Sequence, residues 1–393
     1  MNQRELFFRH LAQTSPLPLG LEISRAEGMV LYAQDGREFL DLIGGISVSN
    51  MGHRHPAVVE AIKRQVDQYL HLMVYGELIQ SPQVEYAGFL TKHLPPSLDS
   101  VYFTNSGTEA TEGAMKLAKR ASGRTQFIAF NHSYHGSTQG ALSIIGDEYW
   151  RNAFRPLLPD ILHLEYNNLG SLNQVTDKTA AVFVESIQAE RGVYTASLAW
   201  IRELRRKCDK HDVLLVMDEI QSGFGRTGSL WAFEQLGIVP DILLLGKALG
   251  GGMPLGAFIA SRNLMLTLTN SPVLGHITTF GGHPVSCAAG LASTRALLDG
   301  PWITEVFRKE KLFRKLLVHS EIKAIRSMGL LIAVEFSTPE INKKIIDHCI
   351  DSGLLTDWFL FAPECMRIAP PLIISDKEII RACHLILQAI DKI

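Results

Sequence analysis

The segment DILLLGKALGGGMPLG, residues 241–256, decides how the chain is read. An almost unbroken apolar run ends in a single lysine, Lys247, and a cluster of glycines follows at once. A short apolar run closed by glycine reads as a strand buried on both faces, as in a parallel sheet. Loops gather at the carboxyl end of such a strand, and ligands bind there. A lysine held there away from water gives up its proton more readily than its reference pKa of about 10.4 implies, and a neutral lysine is a nucleophile.

Working outward, six more stretches have the same character: SVYFTN (100–105), QFIAF (126–130), ILHL (161–164), AAVFVES (180–186), VLLVMDE (213–219) and GAFIAS (256–261). Helical periodicity fills gaps between them, as in EATEGAMKLAKRA (109–121) and LAWIRELRRKCDKH (198–211). This alternation predicts an α/β fold, with a mostly parallel seven-stranded sheet covered by helices. A large domain is expected over residues 50–295. The ends read differently. The turn signal QDGRE (34–38) separates MVLYA (29–33) from FLDLI (39–43), which predicts a small meander. Beyond the long helix pattern HPVSCAAGLASTRALL (283–298), residues 302–393 combine helices with one short strand, LLIAVEF (330–336). Residues 1–49 and 296–393 are expected to build a small α+β domain together.

Composition narrows the function. The 393 residues are 46% hydrophobic and 20% charged, with a formal net charge of −2. No basic field recruits nucleic acid or an anionic membrane. The longest apolar runs, AAVFV and ILLL, fall far short of a membrane span. MNQRELFFRHLAQTSPLPLG has no signal-peptide core, and the five cysteines (208, 287, 349, 365, 383) are scattered. Reduced thiols in a cytoplasmic protein are the expectation.

Three motifs carry the chemistry. NSGTEA (105–110) follows a strand and opens a helix; Ser106 and Glu109 have capping-box spacing, and Gly107 leaves backbone N–H groups open to a phosphate. Asp218 ends the apolar run VLLV and needs a cation or hydrogen-bond donors to be buried there. Lys247 repeats that setting one strand later. A phosphate site, an acid for a ring nitrogen and a nucleophilic lysine together suit pyridoxal phosphate, with Lys247 as its Schiff-base partner. The glycines at 223, 225 and 228 match G-x-G-x-x-G, but acids at the strand end would repel a pyrophosphate. His53, His55, His132 and His135 lack the cysteine or carboxylate partners of a zinc site, so no metal is expected; His55, before Pro56, reads as a helix start.

With these residues in view, the chain resembles the class III aminotransferases, the acetylornithine, ornithine, putrescine and 4-aminobutyrate group of fold-type I pyridoxal-phosphate enzymes. The likeness runs from GHRHP (52–56) to RIAPPL (367–372) and is strongest across DEIQSGFGRTG and PDILLLGKALGGGMPLGA. It implies a homodimer and a set of site residues. Ser106, Gly107 and Thr108 match a phosphate cup, and Thr279 matches a threonine that reaches the phosphate from the neighbouring subunit. Tyr134 matches the aromatic residue on the ring, Asp218 the carboxylate on the ring nitrogen, and Gln221 the side chain near the ring hydroxyl. Lys247 matches the cofactor-bearing lysine and base. Glu190 and Arg367 match a gate, in which arginine takes a substrate carboxylate and glutamate covers it otherwise.

Two positions depart from the relatives. Ser137 stands where acetylornithine and ornithine enzymes carry arginine, and Ile46 where ornithine enzymes tend to carry tyrosine. The stretch GLLTDWFLFAPECMR (353–367) is longer and more aromatic than the acetylornithine pattern, and NSPVLGHITTFGG (270–282) is similar to the putrescine branch. The expected activity is transfer of a terminal amine from an ω-amino acid or diamine to a 2-keto acid. The competing readings are an aminomutase or decarboxylase using the same lysine, a non-catalytic cofactor-binding regulator, and a nicotinamide oxidoreductase.

Overall fold

Alternate residues of the buried strands sort onto two faces of one sheet. In Gln126–Phe130, Phe127 and Ala129 join one apolar cluster while Ile128 and Phe130 join another. Ile242–Leu245 divides in the same way, Ile242 and Leu244 from Leu243 and Leu245. Both faces are therefore covered, which is why these strands read as continuous apolar runs. The computed structural model describes residues 2–393.

The sheet has seven strands, in the spatial order Ser100–Thr104, Gly256–Ala260, Ile242–Leu245, Leu214–Asp218, Thr179–Glu185, Gln126–Phe130, Ile161–Leu164. All run parallel except Gly256–Ala260, which is antiparallel to both neighbours. The connection from Leu245 to Gly256 is too short for a crossover helix, so the chain turns back on itself. Helix Gly107–Ser122 packs its apolar side, including Ala110, Ala114 and Leu117, on one face of the sheet. The expected helices at 198–211 and 283–298 form as Leu198–His211 and Pro284–Asp299. His55 sits at the start of helix Pro56–Gln68 as expected, without a side-chain capping bond.

The two ends of the chain meet in the sheets outside this core. Ile23–Glu27, Val30–Ala33 and Glu38–Asp41 form the meander. Leu354–Leu355 adds to it in parallel, beside residues 40 and 41, so amino- and carboxyl-terminal segments share one sheet. That pairing supports the proposed division into a large domain and a smaller one made from both ends. The carboxyl-terminal region holds more strand than its sequence suggests. Ala324–Met328, Leu331–Glu335, Ala362–Ile368 and Asp357–Phe359 form a four-stranded antiparallel sheet. Charged or polar positions such as Arg326, Asp357 and Glu364 break the apolar pattern there, and cross-strand partners decide the structure instead.

One local reading is corrected. Ser106 Oγ accepts from the Glu109 amide at 3.3 Å, but Glu109 does not return the bond to Ser106. Its Oε2 accepts from the amide and side chain of Asn105, at 2.7 and 2.8 Å, so the box reaches one residue further back. Residues 44–47, not predicted to be special, have four consecutive positive φ angles of 51°, 64°, 62° and 61°. Ile46 lies inside this left-handed turn, an unusual place for a β-branched residue.

Candidate active site

Three neighbouring parallel strands end at one cleft and deliver its chemistry. Glu185 and Asp218 are direct partners at the ends of Thr179–Glu185 and Leu214–Asp218. Lys247 follows two residues after Ile242–Leu245, the next strand across. The cleft measures about 760 Å³ including its open mouth, and its lining includes Gly107, Thr108, Tyr134, Gln221, Glu190 and Lys247 as well as the two acids.

Asp218 is buried and held from two sides. Its Oδ2 lies 2.8 Å from His135 Nδ1, and its Oδ1 accepts from the Ile220 amide at 3.0 Å. In the sequence His135 reads only as a candidate metal ligand, set aside for want of partners, yet in the fold its ring fixes the acid. Its own position is set by Thr111, whose hydroxyl donates to the His135 carbonyl at 2.9 Å. Among the described residues no group of three or more histidine, cysteine, aspartate or glutamate side chains could hold a metal.

Burial is the largest influence on the Lys247 amine and lowers its pKa, with the Glu190 and Asp218 carboxylates opposing it. The backbone at Lys247 is left-handed, with φ of 46°. Glu185 is pushed well above the usual carboxylate range, first by burial and then by the charge of Asp218. It accepts a hydrogen bond from the Tyr134 amide at 3.3 Å. Like Asp218, it is an acid at the end of an apolar strand, so the signal that would have found it was present in AAVFVES.

The opposite wall is a helix terminus. Gly107 and Thr108 begin helix Gly107–Ser122, whose first amides have no partner within the helix. Two close approaches require glycine. A Cβ on Gly107 would fall 2.8 Å from Ile220 Cδ1. At Gly136, where φ is 126°, a Cβ would meet Thr108 Oγ1 at 2.3 Å. Ser106 is the helix N-cap and does not itself line the cleft.

Glu190 and Arg367 form a buried fork-to-fork pair. Nη1 donates to Oε1 at 2.9 Å and Nη2 to Oε2 at 3.0 Å, with side-chain exposures of 3% for the arginine and 6% for the glutamate. Burial alone would raise the Glu190 pKa, but the charge and hydrogen bonds of Arg367 outweigh it and hold the carboxyl below its usual range. Glu190 lines the cleft while Arg367 lies behind it, so the acid covers the cation. Thr279 is exposed and does not line the cleft of its own chain. The glycines at 225 and 228 also lie outside it, packed against Ile303 and Phe307.

A family model described as Aminotransferase class-III matches residues 12–390. The chain belongs to that family. It is 38% identical to an acetylornithine aminotransferase of Methanopyrus kandleri, over 97% of each chain. A mitochondrial acetylornithine aminotransferase of Alnus glutinosa is 37% identical, covering 94% of this chain and 83% of that one. Among solved structures, the ornithine aminotransferase of Toxoplasma gondii superposes with a TM-score of 0.91 at 30% identity, over 99% of this chain and 94% of that one.

Class III aminotransferases work with pyridoxal phosphate, and the residues here fit it. Gln221 Nε2 is buried without a hydrogen-bond partner in the cleft wall, a donor suited to a ring hydroxyl. The helix amides suit the phosphate, Asp218 a protonated ring nitrogen, and Lys247 the aldehyde. Among the described residues, no helix is long and apolar enough to cross a membrane.

Proposed function

We propose that this aminotransferase takes the terminal amino group of an ω-amino acid or diamine and passes it to a 2-keto acid, with Lys247 as cofactor anchor and proton carrier. When bound, pyridoxal phosphate supplies a carbon that accepts the amino group and a ring that takes up the electron pair left behind. Gly107 and Thr108 hold the phosphate by backbone amides at the helix start, with Ser106 setting that start. Asp218, fixed by His135, keeps a proton on the ring nitrogen. Tyr134 covers the ring face and Gln221 donates at its edge. Lys247 Nζ, whose hold on a proton is weakened by burial, carries the proton to and from the reacting carbon.

The position of Glu190 between Arg367 and the cleft carries the choice of a terminal amine. With the pair closed, no bare guanidinium meets a substrate end that bears only an amine. With Glu190 turned aside, the fork accepts the carboxylate of a 2-keto acid in its place. Acetylornithine and ornithine, named in the relatives, both have an amine far from their carboxylate. Ser137 lies exposed in the cleft lining and offers no charge to a second carboxylate. A monocarboxylic acceptor such as pyruvate therefore fits as well as 2-oxoglutarate does.

The working unit is proposed to be a cytoplasmic homodimer, with Thr279 of each chain serving its neighbour's phosphate. Acetylornithine, ornithine, lysine, putrescine and 4-aminobutyrate should be tested against pyruvate and 2-oxoglutarate, with keto-acid-dependent loss of the amine as the readout. Conversion of at least one terminal amine is expected. Amine loss that needs no keto acid, with release of carbon dioxide, would show a decarboxylase instead.

A further inference from the structure

Residues 356–360, TDWFL, each touch Arg367 or the carboxylate paired with it. Thr356 Oγ1 donates to the Arg367 carbonyl at 2.6 Å, and Arg367 Nη2 donates to the Trp358 carbonyl at 2.9 Å. The Phe359 ring centre lies 4.5 Å from the guanidinium carbon, and the Leu360 amide donates to Glu190 Oε2 at 3.0 Å. Asp357 completes the set, its Oδ1 lying 3.0 Å from Arg367 Nε. The register explains that contact. Asp357 and Arg367 are direct partners on adjacent antiparallel strands, so their side chains leave the sheet on the same face.

Arg367 therefore presents two edges to two acids. The Nη1–Nη2 edge meets Glu190, which lines the cleft; the Nε edge meets Asp357, which does not. The Nε–H is not aimed along the line to Oδ1, and neither atom has another hydrogen-bond partner. Each is free to bond the other if the guanidinium turns slightly. A buried guanidinium that loses its only carboxylate is costly and swings toward any other acceptor. A second acid on the far edge removes that difficulty whenever Glu190 leaves.

We propose that Asp357 is a positioning residue that holds Arg367 by its Nε edge, so that the Nη edge stays aimed at the cleft while Glu190 and a substrate carboxylate exchange there. The inference rests on the reading of Glu190 and Arg367 as an exchangeable pair. It also gives the added, aromatic stretch before Arg367 a purpose: to hold the arginine at a fixed post.

The test follows the two half-reactions of the holoenzyme separately by cofactor absorbance, with acetylornithine as donor and pyruvate or 2-oxoglutarate as acceptor. In Asp357→Ala the half-saturating keto-acid concentration should rise about tenfold, as expected for losing one charge-assisted contact, while the maximal rate and the donor half-reaction move far less. Asp357→Asn, which still offers an oxygen to Nε, should recover most of that loss. Asp357→Ser, too short to reach Nε, replaces the alanine variant if that one fails to fold. Unchanged keto-acid saturation in the short variants overturns the proposal. So does an asparagine variant as impaired as alanine, or an equal effect on both half-reactions. Arg367→Ala separates the two levels of inference: if it spares keto-acid saturation, the exchangeable pair itself is wrong, and if it alone impairs saturation, only the role of Asp357 is wrong.

Discussion

The proposed work of Lys247 needs an amine that gives up its proton readily, and its surroundings favour that. Burial weakens its hold on a proton, and its backbone is left-handed, at φ of 46°. A non-glycine residue in that region costs of order 1–3 kcal/mol and persists where the surrounding structure enforces it. Lys247→Ala should leave the fold intact and lower turnover by at least about 10²–10⁴-fold, the usual worth of a placed proton carrier. Borohydride treatment of the wild type should leave cofactor on the peptide containing Lys247, and label on a different lysine would sink the assignment. Asp218→Asn keeps the shape of the site but no longer secures the ring-nitrogen proton. We expect cofactor still bound and kcat down by about 10²-fold or more, the scale of a lost electrostatic contact in a transition state. A near-normal kcat would leave the aspartate a structural role only. The acid and the lysine were readable in the sequence because a charged residue closing an apolar strand is rare and costly. His135 was not, because a histidine's partner is chosen by the fold: Asp218 lies 83 positions further along the chain.

The loop after strand Gln126–Phe130 and the start of helix Gly107–Ser122 are matched elements, and Gly136 is where they touch. Gly136→Ala would place a methyl 2.3 Å from Thr108 Oγ1 at a φ of 126°. Cofactor affinity should fall about tenfold or more, since the backbone beside the phosphate cup must shift. Equilibrium titration with pyridoxal phosphate checks this, and unchanged affinity would show that the loop can give way. Arg226 performs the equivalent task for the fold. It is fully buried, donating to the Leu330 carbonyl at 3.0 Å and also to the Pro370 carbonyl and Asn50 Oδ1. It thus ties the loop after Leu214–Asp218 to segments from both ends of the chain. Arg226→Met strands those acceptors in the interior and should destabilise the protein by at least about 3 kcal/mol, seen as a melting temperature lower by several degrees. A loss under about 1 kcal/mol would mean the acceptors find other donors. The glycine pattern that surrounds Arg226 matches a dinucleotide loop in letters only, and the folded chain uses Gly225 and Gly228 for close packing against Ile303 and Phe307.

At the scale of the whole molecule, the proposed homodimer would complete each active site with Thr279 of the neighbouring chain, a residue exposed in its own. Sedimentation velocity should show a dimer, and Thr279→Ala should weaken cofactor binding even though the residue does not line its own chain's cleft. A fully active monomer would refute that arrangement. By itself the sequence determined the α/β class, the seven strands, the meander and the acid–lysine pair at adjoining strand ends. These rest on local rules: apolar runs buried on both faces, helical periodicity, and punctuation by glycine and proline. The tertiary structure alone decided which distant groups meet. The carboxyl-terminal sheet forms because Asp357–Phe359 and Leu331–Glu335 flank Ala362–Ile368, not because its strands look like strands. The same pairing puts Asp357 beside Arg367, and a separate chain segment brings Glu190 to the other edge of that guanidinium. Contacts of this kind depend on register and on segments far apart in the chain, and neither is encoded in the residues nearby.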